Sequence, residues 1–198
     1  MGPYYEELWE RLPDQLAPPD LAIRMAFLRS GVRRGDQALD LGCGTGEFSA
    51  ALAQAGASVI GVEVARAAVA RARARHPGLE FRLIADAGPL PFADACFDLI
   101  WASEVIEHVA DTARWLSEVR RVLVPGGRLL ATTPSHGRLR VLIGGIERFS
   151  EPLGDHLHLY TLHSLRVLLD EFGFSSVQVR PAGGPPLLRR LLLARATR

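Results

Sequence analysis

A glycine-rich turn near residue 42 constrains the fold more than any other part of this sequence. The run from Gln37 to Leu41 is short and mostly apolar, which is typical of a buried parallel strand. Gly42, Gly44 and Gly46 follow, and apolar residues then recur at helical spacing from Phe48 onwards. We therefore predict a strand, a sharp turn and a helix. Glycine lets a ligand approach the backbone of such a turn, and the free N–H groups at the start of the helix favour an anionic group.

Acidic residues follow the next three predicted strands. Short apolar segments alternate with helical ones between residues 58 and 101, which predicts βαβ units around a parallel sheet. Glu63 ends the first of these segments, Asp86 lies just beyond the second, and Glu104 lies just beyond the third. Ligands bind at the carboxyl ends of parallel strands, and an acid after the second strand of the sheet can accept both hydroxyls of a ribose. These residues therefore predict a ligand-binding edge that suits a nucleoside.

In this order and spacing, the motifs resemble those of the class I S-adenosylmethionine-dependent methyltransferases, of the methyltransferase type 11 and ubiquinone-pathway O-methyltransferase kind. The resemblance runs from about Tyr4 to the end of the chain and is strongest over residues 37–133. It includes the segments at 90–92, 97–100 and 124–130. It implies an α/β Rossmann-like fold with a seven-stranded, mostly parallel sheet, an antiparallel last strand, and helices on both faces.

The second half of the chain is expected to complete this sheet. A Pro-Gly-Gly break precedes a predicted strand at 128–133, and a helix at 162–172 leads to strands at 176–180 and 187–196. We expect one domain over residues 1–198.

Two segments are expected to cover the site. Residues 1–30 are predicted to form a helical cap, and residues 135–160 are predicted to form a lid on the acceptor side, because long loops in compact domains are usually functional.

The same resemblance implies S-adenosyl-L-methionine as the cofactor. In the family, the loop matching Asp40 to Gly46 holds the methionine part, and the acids matching Glu63 and Asp86 bind the ribose and the adenine amino group. Similar enzymes use an N-terminal tyrosine at the methionine end, so Tyr5 is either such a contact or an aromatic anchor of the first helix. The expected cofactor-binding residues are Tyr5, Asp40, Gly42, Cys43, Gly44, Gly46, Glu63, Val64, Asp86, Ala87, Ser103 and Glu104.

A nicotinamide-dependent oxidoreductase is the main alternative within this fold. Its fingerprint is Gly-x-Gly-x-x-Gly around a pyrophosphate, whereas here the third glycine comes one residue early. Asp40, just before the loop, would repel a pyrophosphate but suits the ammonium and sulfonium charges of S-adenosylmethionine. The sequence therefore favours the sulfonium cofactor. An NAD(P)-dependent oxidoreductase, a non-catalytic binding module and an RNA 2′-O-methyltransferase stay open as alternatives.

Glu104, Glu107 and His108 are the candidate catalytic residues. Their i, i+3, i+4 spacing predicts one face of a helix directly after the fourth strand, where the transferred methyl group is expected to lie. Three interpretations stay open. The residues provide capping and surface charge, His108 is a general base, or the carboxylates and imidazole bind a divalent metal ion.

The metal interpretation depends on a second segment, Gly154 to Tyr160, which contains two histidines. Its pairing with the Glu-x-x-Glu-His motif resembles two groups of metal-dependent enzymes, the ubiquinone-pathway O-methyltransferases and the small-RNA 3′-terminal 2′-O-methyltransferases. The resemblance implies a divalent metal as a further cofactor. His158 is an alternative to His156, and His136 and His163 are expected in loops or at the surface. The implied ligands are Glu104, Glu107, His108 and His156.

Charge and cysteine content limit the partners and the location. The net charge is +1, from 23 basic and 22 acidic residues, whereas a broad nucleic-acid footprint needs strong positive charge. No apolar run approaches the roughly 20 residues that span a bilayer, and the polar N-terminal residues predict no signal peptide. Cys43 and Cys96 do not make a disulfide framework. We therefore expect a cytoplasmic enzyme, without membrane or nucleic-acid partners, that methylates a small molecule at a hydroxyl oxygen.

Overall fold

Helices and strands alternate along the residues that the computed structural model describes, which are 2–13, 18–86, 88–137, 141–142 and 156–198. None of the helices in these ranges is both long enough and apolar enough to cross a membrane. In chain order the elements are α1 (Gly2–Arg11), α2 (Leu21–Arg29), β1 (Gln37–Leu41), α3 (Glu47–Gln54), β2 (Ser58–Glu63), α4 (Arg66–Arg75), β3 (Glu80–Leu83), β4 (Phe97–Ser103), α5 (Thr112–Val122), β5 (Leu123–Pro134), α6 (Leu162–Glu171), β6 (Ser175–Ala182) and β7 (Leu191–Thr197), with short 3₁₀ turns at Ile106–His108 and Pro186–Leu188.

The seven strands form one sheet in the order β3-β2-β1-β4-β5-β7-β6. Strands β1 to β5 pair in parallel, and β7 is antiparallel to both β5 and β6. This confirms the predicted seven-stranded sheet with an antiparallel last strand. The strand order reverses between β1 and β4, and a crevice forms at the carboxyl ends of the strands at such a switch point.

Side chains of the central strands alternate between two apolar layers, because successive residues of a strand face opposite sides of the sheet. Leu39 and Ile100 pack in one layer with α5 and α6. Trp101 packs in the other layer with α2 and α3, where its ring lies between those of Phe27 and Phe48 at centroid distances of 6.0 and 5.1 Å. Helices therefore cover both faces of the sheet, as the resemblance implied.

Strand β5 begins earlier than predicted. Leu123 is fully buried and pairs with Phe97, so the chain enters the sheet directly after α5. The next aligned pair is Leu99 with Arg128. The Pro-Gly-Gly turn, in which Gly126 has a φ of +79°, therefore forms an irregularity within the strand.

The last strand begins later than predicted. A 3₁₀ turn occupies Pro186–Leu188 and delays β7 to Leu191. Most of the predicted lid at 135–160 lies outside the described residues, so the lid stays a prediction.

Candidate active site

A cleft of about 560 Å³ lies at the carboxyl ends of β1, β2 and β4. Helices α1 and α5 contribute its walls. Of the predicted cofactor-binding residues, Asp40 and Gly46 do not line the cleft, and Ala87 lies outside the described residues. The predicted residues that do line it are Tyr5, Gly42, Cys43, Gly44, Glu63, Val64, Asp86, Ser103 and Glu104.

The glycine turn after β1 has little room for a side chain at Gly42 or Gly44. Gly42 and Gly44 have φ angles of +77° and +52°, a region that residues with a Cβ rarely adopt. A Cβ on Gly42 would lie 2.5 Å from Cγ2 of Val105, and a Cβ on Gly44 would lie 3.2 Å from Cη2 of Trp9. The turn therefore needs glycine both for its conformation and for the close approach of its neighbours.

Glu63 ends β2 with its carboxylate held by backbone amides. The carboxylate accepts hydrogen bonds from the N–H groups of Val64 at 2.6 Å, Gly44 at 3.2 Å and Ala65 at 3.4 Å. Burial raises the pKa of Glu63, and these three hydrogen bonds oppose that rise. The result is a fixed acceptor at the cleft, which has the chemistry needed to bind a vicinal diol.

Asp40 and Gly46 lie at the two ends of the glycine turn but do not line the cleft. Asp40 is 1% exposed, and its Oδ2 atom accepts a 2.5 Å hydrogen bond from Oγ of Ser49 on α3. Desolvation by burial raises the pKa of Asp40 to about 7, although the Ser49 hydrogen bond lowers it. A Cβ on Gly46 would lie 2.8 Å from both His76 and Phe81. The hydrogen bond of Asp40 joins β1 to α3, Gly46 packs against residues at the end of α4 and on β3, and neither residue lines the cleft.

Arg24 of α2 is a residue of the cleft that the sequence analysis missed. It is 3% exposed, and its Nη2 atom lies 3.0 Å from Oε2 of Glu104. Its Nε atom is buried and has no hydrogen-bond partner among the described residues. A buried guanidinium group with an unpaired N–H is suited to bind a carboxylate. The available signal was one basic residue inside the apolar run from Leu21 to Leu28.

The expected helical face after β4 is absent from the structure. Glu104 has a φ of +56°, so the chain turns sharply where β4 ends, and only Ile106–His108 form a 3₁₀ turn. Glu104 binds Arg24 and accepts a 3.2 Å hydrogen bond from Oγ1 of Thr132. The prediction of one shared face was therefore wrong, because the left-handed residue separates Glu104 from the two residues that follow.

Glu107 is fully buried behind this turn. Its Oε2 atom accepts a 2.9 Å hydrogen bond from Oγ1 of Thr133. Desolvation raises its pKa well above the ordinary value, and the nearby charge of Glu104 raises it further. His108 is adjacent, with Nε2 3.9 Å from Oε1 of Glu107, and lines the cleft. The ring of Tyr5 lies edge-on to His108 at a centroid distance of 6.0 Å.

Glu107, His108 and His156 form a cluster whose ligand atoms all lie within 4.8 Å of one another. Two imidazole nitrogens and one carboxylate oxygen are a donor set that suits borderline divalent metals such as Zn²⁺. Three of the four implied metal ligands are therefore brought together, and Glu104 is not among them. His158 is also outside the cluster, because its Nε2 atom lies 2.9 Å from the carbonyl oxygen of Val109.

His136 was expected in a loop or at the surface. It lies in the loop after β5, as expected, but it is only 4% exposed. Its ring centroid lies 5.8 Å from that of His156. The N–H group of Tyr160 donates a 3.0 Å hydrogen bond to Nδ1 of His136. His136 therefore packs against the cluster through His156, a position that no local sequence pattern indicates.

Comparison with known proteins shows which family this chain is similar to. The family model described as "Methyltransferase domain" matches residues 39–131. Methyltransferase GfsG of Streptomyces halstedii is 43% identical over 129 residues, which are 62% of this chain and 43% of GfsG. The 27-O-demethylrifamycin SV methyltransferase of Amycolatopsis mediterranei is 39% identical over 130 residues, 63% of this chain and 44% of that protein. The chain thus spans less than half the length of these two curated relatives.

A solved structure shares the fold over nearly the whole chain. It is an S-adenosylmethionine-dependent methyltransferase from Mesorhizobium loti, with a TM-score of 0.75 and 24% sequence identity. The match covers 92% of this chain and 99% of that protein.

Proposed function

This chain belongs to the class I S-adenosylmethionine-dependent methyltransferases, and from that premise we propose that it methylates a hydroxyl oxygen of a small molecule. The observation that carries the proposal is the position of His108. It lines the cleft just beyond the carboxyl end of β4, beside Ser103 and Glu104. The similarity to a relative whose name specifies an oxygen, the 27-O-demethylrifamycin SV methyltransferase, supports an oxygen acceptor.

The cofactor is proposed to lie along the cleft from β2 to β4. Glu63 accepts the two ribose hydroxyls, and Asp86 binds the adenine amino group at the end of the cleft formed by the loop after β3. The glycine turn supports the methionine part, and Arg24 binds its carboxylate. The buried guanidinium favours this assignment, because an unpaired donor inside a protein gains most from an anionic partner.

His108 is proposed as the general base. A neutral hydroxyl is a poor nucleophile, so its proton must be removed as the new bond forms between its oxygen and the methyl carbon and the carbon–sulfur bond breaks. Only a group within hydrogen-bond reach of the acceptor can do this, and the imidazole of His108 faces the cleft. The cleft walls hold the acceptor in line with the methyl group and exclude water.

Glu63→Gln tests the cofactor assignment. We expect the affinity for S-adenosylhomocysteine, measured by titration calorimetry, to fall about 10- to 100-fold, because the amide loses charge-assisted hydrogen bonds to the diol. Glu80→Gln is the matched control, since Glu80 is an exposed acid paired with Arg82 on β3. Undiminished affinity in Glu63→Gln would reject the ribose role. A wild-type melting temperature raised by NAD⁺ and not by S-adenosylhomocysteine would reject the cofactor itself.

The cluster of Glu107, His108 and His156 supports a second candidate, a metal-assisted O-methyltransferase. We propose that these three side chains hold a divalent ion, which would lower the pKa of a bound acceptor hydroxyl. In that case His108 is a ligand rather than the base.

Removal of the metal separates the two candidates. If the metal candidate is correct, chelation should reduce activity at least about tenfold, added Zn²⁺ or Mn²⁺ should restore it, and His156→Ala should abolish the restoration. His163→Ala is the control, because His163 is exposed on α6. Full activity in protein shown to be metal-free by elemental analysis would leave the general base as the explanation.

We also propose that residues 1–198 act as one domain in a cytoplasmic protein, with α1 covering the cleft. Cys43 and Cys96 are both free thiols. Reducing compartments keep cysteines in this state, which supports the proposed location.

A further inference from the structure

Helix α1 contacts the cleft at two places and the start of α4 at a third. Trp9 lies against Gly44 of the turn after β1, and the ring of Tyr5 meets that of His108 beyond β4. These two aromatic residues are four apart, so they lie on the same face of α1. The third contact is made by Glu6, which binds the start of α4 beyond β2. Helix α1 therefore crosses the cleft in which the cofactor is proposed to bind.

The contact of Glu6 compensates for a missing helix cap. Helix α4 begins after Ala65, which has the extended conformation of an N-cap residue but no side-chain oxygen. The first N–H groups of a helix have no partner within it. Glu6 supplies both carboxylate oxygens, accepting from the N–H of Arg66 at 2.6 Å and from the N–H of Ala67 at 3.0 Å. The negative charge is also stabilised by the helix dipole at this end.

We propose that Glu6 is a positioning residue that latches α1 over the cofactor and so limits the rate at which the cofactor enters and leaves. The inference rests on the proposed function for the identity of the ligand. When the two hydrogen bonds of Glu6 break, Trp9 and Tyr5 can move away from the cleft together, because both residues belong to α1.

The latch also lies next to the proposed ribose site. Glu63 binds the N–H groups of Val64 and Ala65, and Glu6 binds those of the next two residues. The two carboxylates therefore share one continuous row of backbone donors.

Glu6→Ala tests the latch directly. Radiolabelled S-adenosylmethionine is bound in the absence of acceptor and chased with excess unlabelled S-adenosylhomocysteine. We expect the dissociation rate constant to rise about tenfold, the effect of losing charge-assisted hydrogen bonds. Glu7→Ala is the matched control, because Glu7 is an exposed acid of the same helix that pairs with Arg11. An unchanged dissociation rate in Glu6→Ala would overturn the proposal.

A double variant separates the latch from simple stabilisation of α4. In Glu6→Ala/Ala65→Ser, the serine hydroxyl can cap α4 locally, but α1 stays unattached. We expect the melting temperature to recover while dissociation stays fast. Dissociation that returns to the wild-type rate would show that Glu6 only stabilises α4, and the latch would be rejected.

Hydrogen exchange of the ligand-free protein distinguishes a failure of the latch from a failure of the proposed function. We expect the backbone amides of α1 to exchange faster in Glu6→Ala than in the wild type, because a helix that is no longer attached to α4 opens more often. Equal exchange would overturn the latch, whatever the ligand. A wild-type protein that fails to bind labelled S-adenosylmethionine would instead contradict the proposed function, and the exchange rates would still decide whether Glu6 holds α1 closed.

Discussion

Gly44→Val should lower the affinity for S-adenosylhomocysteine by at least about 100-fold. Gly44 has a φ of +52°, which costs a residue with a Cβ about 1–2 kcal/mol. Its Cβ would also lie 3.2 Å from Cη2 of Trp9, on the turn that is proposed to support the methionine part. Both effects displace the turn from the ligand, and each 1.4 kcal/mol changes the dissociation constant tenfold. Titration calorimetry measures the result.

Gly126→Val is the control that distinguishes the effect of backbone strain from the effect of changing the cofactor site. Gly126 has a φ of +79°, but nothing lies within 4 Å of a Cβ built there, and it belongs to the irregular turn in β5. We expect a similar loss of stability in both variants and normal cofactor affinity in Gly126→Val alone. Equal affinity in the wild type and Gly44→Val would show that the glycine turn does not contact the ligand.

His108→Ala should reduce kcat about 10²- to 10⁴-fold, the usual contribution of a positioned general base. The affinity for S-adenosylhomocysteine should stay within about threefold of the wild type, because the imidazole acts on the acceptor. The wild-type rate should rise as the pH increases, because only an unprotonated imidazole can accept the proton of the acceptor. The variant should lack this rise, which steady-state rates on a hydroxyl acceptor will show.

The control for this variant is His163→Ala, which removes an exposed imidazole from α6. Its kcat and pH profile should match those of the wild type. If His108→Ala keeps its kcat, His108 is not the base. If kcat falls but the rise with pH persists, another group removes the proton, and the metal cluster becomes the better explanation.

Local sequence pattern was enough to predict β1, the glycine turn, α3 and the position of Glu63. The turn depends on residues that are adjacent in sequence, and the βαβ alternation then fixes which strand ends meet at one edge. The seven-stranded sheet was implied by the resemblance to the methyltransferase family, which rests on the order of the motifs. The predicted bounds of β1 match the structure.

The features that sequence reasoning missed depend on contacts between distant residues. Arg24 became a candidate only when α2 placed it beside Glu104, 80 residues further along the chain. The left-handed conformation of Glu104 broke the expected helical face, and no local pattern indicates such a conformation for glutamate. His136 is buried because its ring binds the backbone of Tyr160. Each case is decided by tertiary packing.

The residues that line the cleft come both from the segment that matches the methyltransferase domain family and from the segments on either side of it. The segment shared with the methyltransferase domain family, 39–131, contains the glycine turn, Glu63 and His108. Tyr5, Trp9, Arg24 and His156 all lie outside that segment. The cleft is therefore built from the segment that matches the family together with residues on both sides of it. Divergence in which molecules are methylated is expected to accumulate at the two ends of the gene, and chimeras joined near residues 39 and 131 are the natural way to transfer it.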